Sequence, residues 1–481
     1  MRLMIVVAAV LVALAGCAGP GPSYFPVAPV ETRAIDGGLI ERLYDSDRDG
    51  VADIGEIFDT IGRVARLAYD RGADGRFGSA VDWPPAADAA GVRRLLIIVD
   101  SVPYAMIRQL YDQGRFRLFH PPGRTVSPFP VMTDPALADY FGVLPLPGVE
   151  AQYFDGQRLQ SGFDNYVNAT NMTWLRHIDY ALAVPYHGPA YLWPGVWFDD
   201  ELRHIQDGFL QSEKREYAGY VVGGSAMGAK RGRDGHQTLL IRLDRYCQSL
   251  IHRHRGKLHI TLMSDHGHHL GPQTRVPLAW HLKRVGYNVG DRIEHATDIV
   301  VPEWGPVSCA VVHTRVPERV ARDAVGFEGV ELAAYRDESG AVIVVGRDGD
   351  GRIEHKDGKF RYSSRRGDPL NLLPILDRLR QGSGDDGFID DAILLRATAD
   401  HEFPDAIRRL WRAFDGMFEN TPQVFISLAD GYYCGDQQFE QYLTMRGVHG
   451  NLRSAGSCGF VMHTDRAAAA LARIGDLRSS E

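Results

Sequence analysis

The sequence predicts an α/β protein built on a doubly wound, mostly parallel sheet. Two observations predict it. First, apolar runs recur without polar alternation: Leu95–Val99, Tyr220–Val222, Leu258–Met263, Cys309–Val312 and Val424–Leu428. A strand covered on both faces needs no polar side, and strands of a parallel sheet between helical layers are covered in this way. Second, helical patterns separate several of these runs. From Thr238 to His252, Leu239, Leu240, Leu243, Leu250 and Ile251 recur at the helical period. Strands alternating with helices mark the doubly wound class. The composition agrees. With 481 residues, 44% hydrophobic and 24% charged, the chain can build a large core and is neither a disordered protein nor a small disulfide scaffold. A formal charge of −8, from 53 basic and 61 acidic residues, argues against general nucleic-acid binding.

The elements follow in chain order. Residues 1–16 combine Arg2 with the apolar run Leu3–Ala15 and end Leu14-Ala15-Gly16 before Cys17. The run has the length of a signal h-region and is short for a membrane span. It resembles a bacterial lipoprotein signal, which implies lipidation of Cys17 and a membrane anchor. The Gly/Pro-rich residues 17–33 then read as a tether. Ala18 stands where an inner-membrane retention signal carries Asp, which points to the outer membrane facing the periplasm. The other four cysteines lack metal-type spacing; Cys434 and Cys458 form the one pair considered for a bridge.

Residues 34–75 read as an EF-hand-like calcium module. Asp45, Asp47, Asp49, Val51, Asp53 and Glu56 occupy the ligand positions of the twelve-residue loop, with Gly50 at its turn. Leu39, Ile40 and Leu43 predict a helix entering the loop. Ile57, Ile61, Val64 and Ala68 predict one leaving it, so a helix–loop–helix is expected around structural Ca²⁺.

Residues 71–91, rich in Gly, Ala and Pro, read as a connector to the main domain, 92–465. In a doubly wound sheet ligands gather beyond the carboxyl ends of strands. Asp100 follows the first apolar run there. Ser264-Asp265-His266-Gly267-His268-His269 follows the third. Carboxylate and imidazole side by side suit a transition metal such as Zn²⁺. Further on, His449 stands between glycines in Arg446-Gly447-Val448-His449-Gly450.

Asp100 after a strand, a Thr-containing segment, Asp265-His266-Gly267 and finally His449-Gly450 form the ordered motif set of the alkaline phosphatase superfamily. The chain most resembles its type I phosphodiesterase/nucleotide pyrophosphatase branch. The resemblance implies an alkaline phosphatase-like fold and hydrolysis of phosphodiester or pyrophosphate linkages in a small-molecule, lipid or nucleotide ester. It implies one or two Zn or Mn ions. Asp100, Asp265 and His266 match the ligands of one metal, and His449 matches a ligand of the other. Segment Phe129-Pro130-Val131-Met132-Thr133-Asp134-Pro135-Ala136 resembles the nucleophile pattern, which makes Thr133 the nucleophile candidate, with Ser127 second. Residues 327–420 then read as an α+β insertion of strands, hairpins and a helix over Pro404–Phe418. Within it, Asp348-Gly349-Asp350-Gly351 reads as a hairpin turn. No Cys-x-Pro-x-Arg segment exists, which argues against a sulfatase of the formylglycine type.

One departure stands out. The second metal of the family takes Asp and His from an Asp-x-x-Gly-His segment. Here Gly224-Ser225-Ala226-Met227-Gly228-Ala229 puts Ser225 and Ala229 at those places. Three expectations follow. Lys230 or Arg231 replaces the missing cation. His187, Asp234 or His236 restores the site. Or the protein has lost catalysis and binds an envelope partner on the same fold. His268 and His269 are read as capping or facing solvent, with extra metal ligands as the alternative. The loops around Pro185–Pro194, with Tyr191 and Trp193, are candidates for a pocket wall.

Overall fold

The computed structural model describes residues 21–478, apart from 71, 73–74, 79, 87–88, 162–167, 381–386 and 436–443. The proposed signal and Cys17 lie outside the described residues. No helix among the described residues is long and apolar enough to cross a membrane.

The central sheet has seven strands in the order Tyr180–Ala181, Glu216–Val221, Arg93–Val99, Leu258–Met263, Cys458–His463, Gly123–Val126 and Leu471–Arg473. The first four are mutually parallel. Cys458–His463 runs antiparallel to both of its neighbours, so the sheet is mixed. The two-faced burial of Arg93–Val99 is explicit. Leu95, Ile97 and Val99 pack with helices Tyr104–Asp112, Pro194–Gln211 and Gly223–Arg253, while Ile98 packs on the opposite side with Ala136 and Leu137 of helix Thr133–Phe141. The expected Thr238–His252 helix is the later part of Gly223–Arg253. That element is broken at Gly232, whose φ of 60° and ψ of −141° lie outside the helical region.

The runs Cys309–Val312 and Val424–Leu428 were expected in this same sheet. They belong to a second, nine-stranded sheet reaching from Asn288 to Leu428 in sequence. Its strands are antiparallel except for the pair Asn288–Val289 and Asp298–Val300. Apolar runs report burial on two faces, and this sheet is also covered twice. Val311 and Phe425 face helix Ala406–Ala413, while Val312 and Ile426 face helix Pro317–Ala324. Strand direction leaves no trace in such a pattern. The segment 327–420 supplies this sheet with five of its strands. The Asp348 turn is a hairpin, with Gly346 paired to Gly349.

The N-terminal module departs from expectation. Instead of helix–loop–helix, residues 31–82 form a five-stranded antiparallel meander: Glu31–Ile35, Leu39–Tyr44, Ile54–Phe58, Val64–Tyr69 and Val81–Asp82. The acidic loop closes a hairpin between the second and third strands. Leu39, Ile40 and Leu43 satisfied a helical spacing only because three apolar residues fit either period. The alternation Glu41 and Leu43 in, Ile40 out decides for strand. Phe58, Val64, Leu67 and Trp83 join the core of the central sheet. Cys247, Cys309, Cys434 and Cys458 are all free and buried. Cys458 begins a central strand and Cys434 packs with the second sheet, so they form no bridge.

Candidate active site

Parallel strands deliver their ends to one edge, and the site is built there. Asp100 ends strand Arg93–Val99, and its N–H donates to Val221 O on the neighbouring strand (3.0 Å). Asp265 and His266 follow strand Leu258–Met263. Gly224 lets the next helix begin against this edge, since a Cβ there would lie 2.1 Å from Asp100 O.

The carboxylates of Asp100 and Asp265 and the His266 imidazole converge. They offer ligand atoms within 4.8 Å of one another, all buried. Asp265 Oδ1 accepts from the N–H groups of Ser101 (3.0 Å) and His266 (2.9 Å). Its Oδ2 has no hydrogen-bond partner and lies 3.3 Å from His266 Nε2. His266 Nδ1 faces Gly267 O at 2.9 Å. A carbonyl only accepts, so the ring proton sits on Nδ1 and Nε2 presents a lone pair. Burial pushes this imidazole down to about 4, so it is neutral. Burial, then the Asp265 charge, raises Asp100. An orphaned carboxylate oxygen beside an unprotonated imidazole nitrogen, with a second carboxylate in reach, suits a bound divalent cation.

Thr133 is the first residue of helix Thr133–Phe141, and its Oγ1 lies 3.5 Å from His266 Nε2. The free N–H groups of that helix end suit an anion. Behind it, Asp134 is buried and accepts from Asn171 Nδ2 and Trp174 Nε1, both at 2.9 Å, which fixes the first turn. Val131 N–H donates to Gly450 O (3.0 Å), and His449 Nδ1 donates to Val131 O (2.9 Å). The segment leading into Thr133 and the His449 turn are thus joined by two hydrogen bonds. His449 stacks on His266 with ring centroids 4.2 Å apart. Burial, then His266, lowers it to about 3.

Ser127 is excluded as a nucleophile. It is fully buried and its hydroxyl donates to Asp265 O, beneath the cluster. Ser225 and Ala229 stand where the resemblance expects two ligands of a second metal. Ser225 and Ala229 line the cavity over Thr133, and Ser225 Oγ pairs with Tyr191 OH at 2.8 Å. Lys230 donates to Leu192 O and borders, with Arg231, a separate depression beside Trp193 and Val196. Neither supplies charge to the cavity. Asp234 is exposed. His187 lines the cavity, with Nε2 on Leu182 O (2.9 Å). His236 is occupied by His268, Nε2 to Nδ1 at 3.1 Å. His268 is buried and lines the cavity, contrary to a capping or solvent-facing place. His269 lies on a short ribbon paired with Gly447–Val448, its Nδ1 3.0 Å from Gln273 Nε2.

Tyr220 and Glu150 were not legible as site residues in the sequence. Tyr220, one residue before the end of strand Glu216–Val221, is within reach of both Asp100 and Thr133. Glu150 comes from the loop after helix Thr133–Phe141 and lines the cavity. No spacing marks either residue.

In the acidic hairpin loop, Asp45, Asp47 and Asp49 bring their carboxylates within 4.8 Å of one another. Asp45 accepts from the N–H groups of Arg48 (2.6 Å) and Gly50 (3.0 Å), and Asp53 accepts from Ser46 N–H (2.6 Å). Val51 N–H donates to Asp49 (2.8 Å). Glu56, expected as the twelfth-position ligand, is not in the loop. It lies buried on a strand, accepting from Arg117 Nε (2.7 Å) and Nη2 (3.0 Å), 3.2 Å from His252 Nε2.

No protein-family model and no curated protein matches the sequence. Solved structures do resemble the fold. Human ectonucleotide pyrophosphatase/phosphodiesterase 5 aligns with a TM-score of 0.45 and 12% identity over 81% of this chain and 93% of its own. The murine counterpart aligns at 0.43 and 10% over the same shares. Phosphonoacetate hydrolase from Sinorhizobium meliloti 1021, with phosphonoformate, aligns at 0.41 and 10%, over 86% of this chain and 98% of its own. What this chain can do is set by its own residues.

Proposed function

We propose that the protein is a metal-dependent hydrolase of phosphoric esters, with Thr133 as nucleophile and Asp100, Asp265 and His266 as the ligands of one Zn²⁺ or Mn²⁺. The observation that carries this is the Thr133 hydroxyl standing 3.5 Å from His266 Nε2, beside the partnerless Asp265 Oδ2. A divalent ion held there would supply the positive charge that acidifies a hydroxyl and stabilises phosphoryl oxygens.

The chain's own groups do the rest. The helix N-terminus at Thr133 directs free N–H groups towards the phosphoryl oxygens. Asp134, locked by Asn171 and Trp174, keeps the first turn in place. Tyr220 orients the Thr133 hydroxyl against Asp100. Thr133 Oγ bonds to phosphorus as its hydroxyl proton passes to solvent, the bond to the leaving alcohol's oxygen breaks, and that oxygen takes a proton from solvent. Water then cleaves the phosphothreonine and restores the hydroxyl. With Ser225 and Ala229 in place of carboxylate and imidazole, His449 has no partner ligand from that helix, so one ion per chain is expected.

The test is hydrolysis of bis(p-nitrophenyl) phosphate by metal-replete protein. Thr133→Ala and a chelator should each lower the rate by about 10³-fold or more. Elemental analysis should show about one transition metal per chain, lost in Asp265→Asn. No turnover of any ester by the one-metal protein would favour a silent binding protein of the envelope, for which Ser225 and Ala229 speak. The same reading takes the chain as anchored through Cys17 to the outer membrane, and Asp45, Asp47, Asp49, Val51 and Asp53 as holding Ca²⁺.

A further inference from the structure

The stretch read as a tether joins the folded chain at a fixed point. Tyr24 OH donates to Asp199 Oδ1 (2.5 Å), and the Arg245 guanidinium lies over the Tyr24 ring. Phe25 N–H donates to Arg245 O (3.1 Å), and Arg245 Nε donates back to Phe25 O (2.7 Å). Asp199 also meets Arg242, whose Nη1 lies 3.1 Å from both carboxylate oxygens, and these two residues line the depression beside Trp193. The root of the tether and this depression are therefore one neighbourhood. The depression holds about 340 Å³. Its rim is apolar and exposed, with Trp193 42% and Val196 49% accessible. Its lining is basic. Lys230, Arg231 and Arg242 stand against Asp199 alone among the described residues. Arg242 neutralises Asp199, so Lys230 and Arg231 are in excess. Lys230 donates to a carbonyl, Leu192 O, and Arg231 is exposed. The next exposed charges on that helix, Arg233 and Asp234, are of opposite sign.

An exposed indole beside basic side chains in excess suits the surface of a bilayer. Tryptophan favours the boundary between acyl chains and headgroups. Lys and Arg are drawn to anionic headgroups. The place of this patch along the chain points to the same occupant. From Cys17 to Tyr24 is a step of seven residues. An extended chain covers at most about 3.6 Å per residue, so that step spans at most about 25 Å. A protein anchored through Cys17 thus keeps Tyr24, and the depression beside it, within that distance of the bilayer. Resting on the reading of Cys17 as a lipid anchor, we propose that this depression is a membrane-docking surface. Trp193 and Val196 enter the interface, and Lys230 and Arg231 meet anionic headgroups. The docked face lies one wall away from the cavity over Thr133. Tyr191 lines that cavity, while Leu192 and Trp193, next in the chain, line the depression. Docking therefore fixes how the cavity sits relative to the bilayer, which attachment at a single point does not.

The test uses the full-length protein reconstituted into vesicles of phosphatidylcholine and phosphatidylglycerol. Lipids brominated near the headgroup end of their acyl chains quench indole fluorescence on contact. They should quench the native protein, and Trp193→Tyr should lose most of that quenching. Omitting phosphatidylglycerol, or raising the salt, should weaken it. No quenching of the native protein, quenching unchanged in Trp193→Tyr, or quenching indifferent to phosphatidylglycerol overturns the proposal. The anchor is read separately, from the mass of the peptide containing Cys17. If that peptide carries no lipid, the anchor reading fails, and cosedimentation of the protein with the same vesicles decides the docking surface. Binding that Arg231→Glu weakens by about tenfold upholds it. No binding by the native protein, or binding that Arg231→Glu leaves intact, overturns it.

Discussion

At the scale of single residues, Glu56 shows how a motif can be read correctly in spelling and wrongly in role. Its spacing from Asp45 fits a calcium loop, but the chain runs straight from Asp53 into a strand and carries Glu56 into the interior. Burial would raise its carboxyl; the charge of Arg117, with His252, outweighs that and holds it at about 2. A depressed carboxylate stabilises the fold at pH above its unfolded value of about 4.3. That contribution is lost as pH falls through about 2. The pair is therefore expected to sharpen acid unfolding between roughly pH 4 and pH 2, visible by circular dichroism. Removing only the cation leaves an uncompensated buried charge, so Arg117→Ala should cost about 3–5 kcal/mol. A neutral-pH melting curve unchanged by that substitution would remove the pair from the account.

Among the elements, the helix beginning at Gly223 and the acidic hairpin each carry a prediction. Gly224 meets the backbone of Asp100, which cannot swing aside. Gly224→Ala should destabilise by roughly 1–3 kcal/mol and weaken the metal cluster by displacing Asp100. Retained stability with full metal content would contradict the close approach. The hairpin loop gathers three carboxylates, so calcium should raise the melting temperature and Asp47→Asn should diminish the rise. Glu56→Gln should leave the calcium response in place, because Glu56 faces Arg117. A melting temperature indifferent to calcium would end that reading. These elements also show why the helix–loop–helix was misread. The acidic loop is a local pattern that both helical and strand flanks can present. What distinguishes them is burial of Ile54–Phe58 against the central domain, which lies far away in sequence.

On the scale of the whole molecule, the N-terminal meander is continuous with the main core. Phe58, Leu67 and Trp83 pack among residues of the central sheet and its helices. Trp83 Nε1 donates to Leu118 O (3.3 Å), and Glu56 binds Arg117. Unfolding should therefore be one calorimetric transition with the central domain, and a separate low-temperature peak for residues 31–82 would count against this docking. The second sheet reaches the site as well. Ser308 N–H donates to His449 O (2.7 Å), and Gly450 packs against Cys309.

Asp100, Asp265 and His266 stood out in the sequence because they follow apolar strands, and parallel strands present their ends together. Thr133 and His449 do not follow from that rule; they were marked by the resemblance to the alkaline phosphatase superfamily. It also marked the vacancy of ligands at Ser225 and Ala229. Only the tertiary structure decided which elements surround them. Sheet partnership, strand direction and the meander depend on contacts between distant segments, which local periodicity does not record. The same holds for Glu150 and Tyr220. Each is an ordinary residue in sequence, and acquires its chemistry from the low-dielectric, unevenly charged cavity that distant parts of the chain close around it.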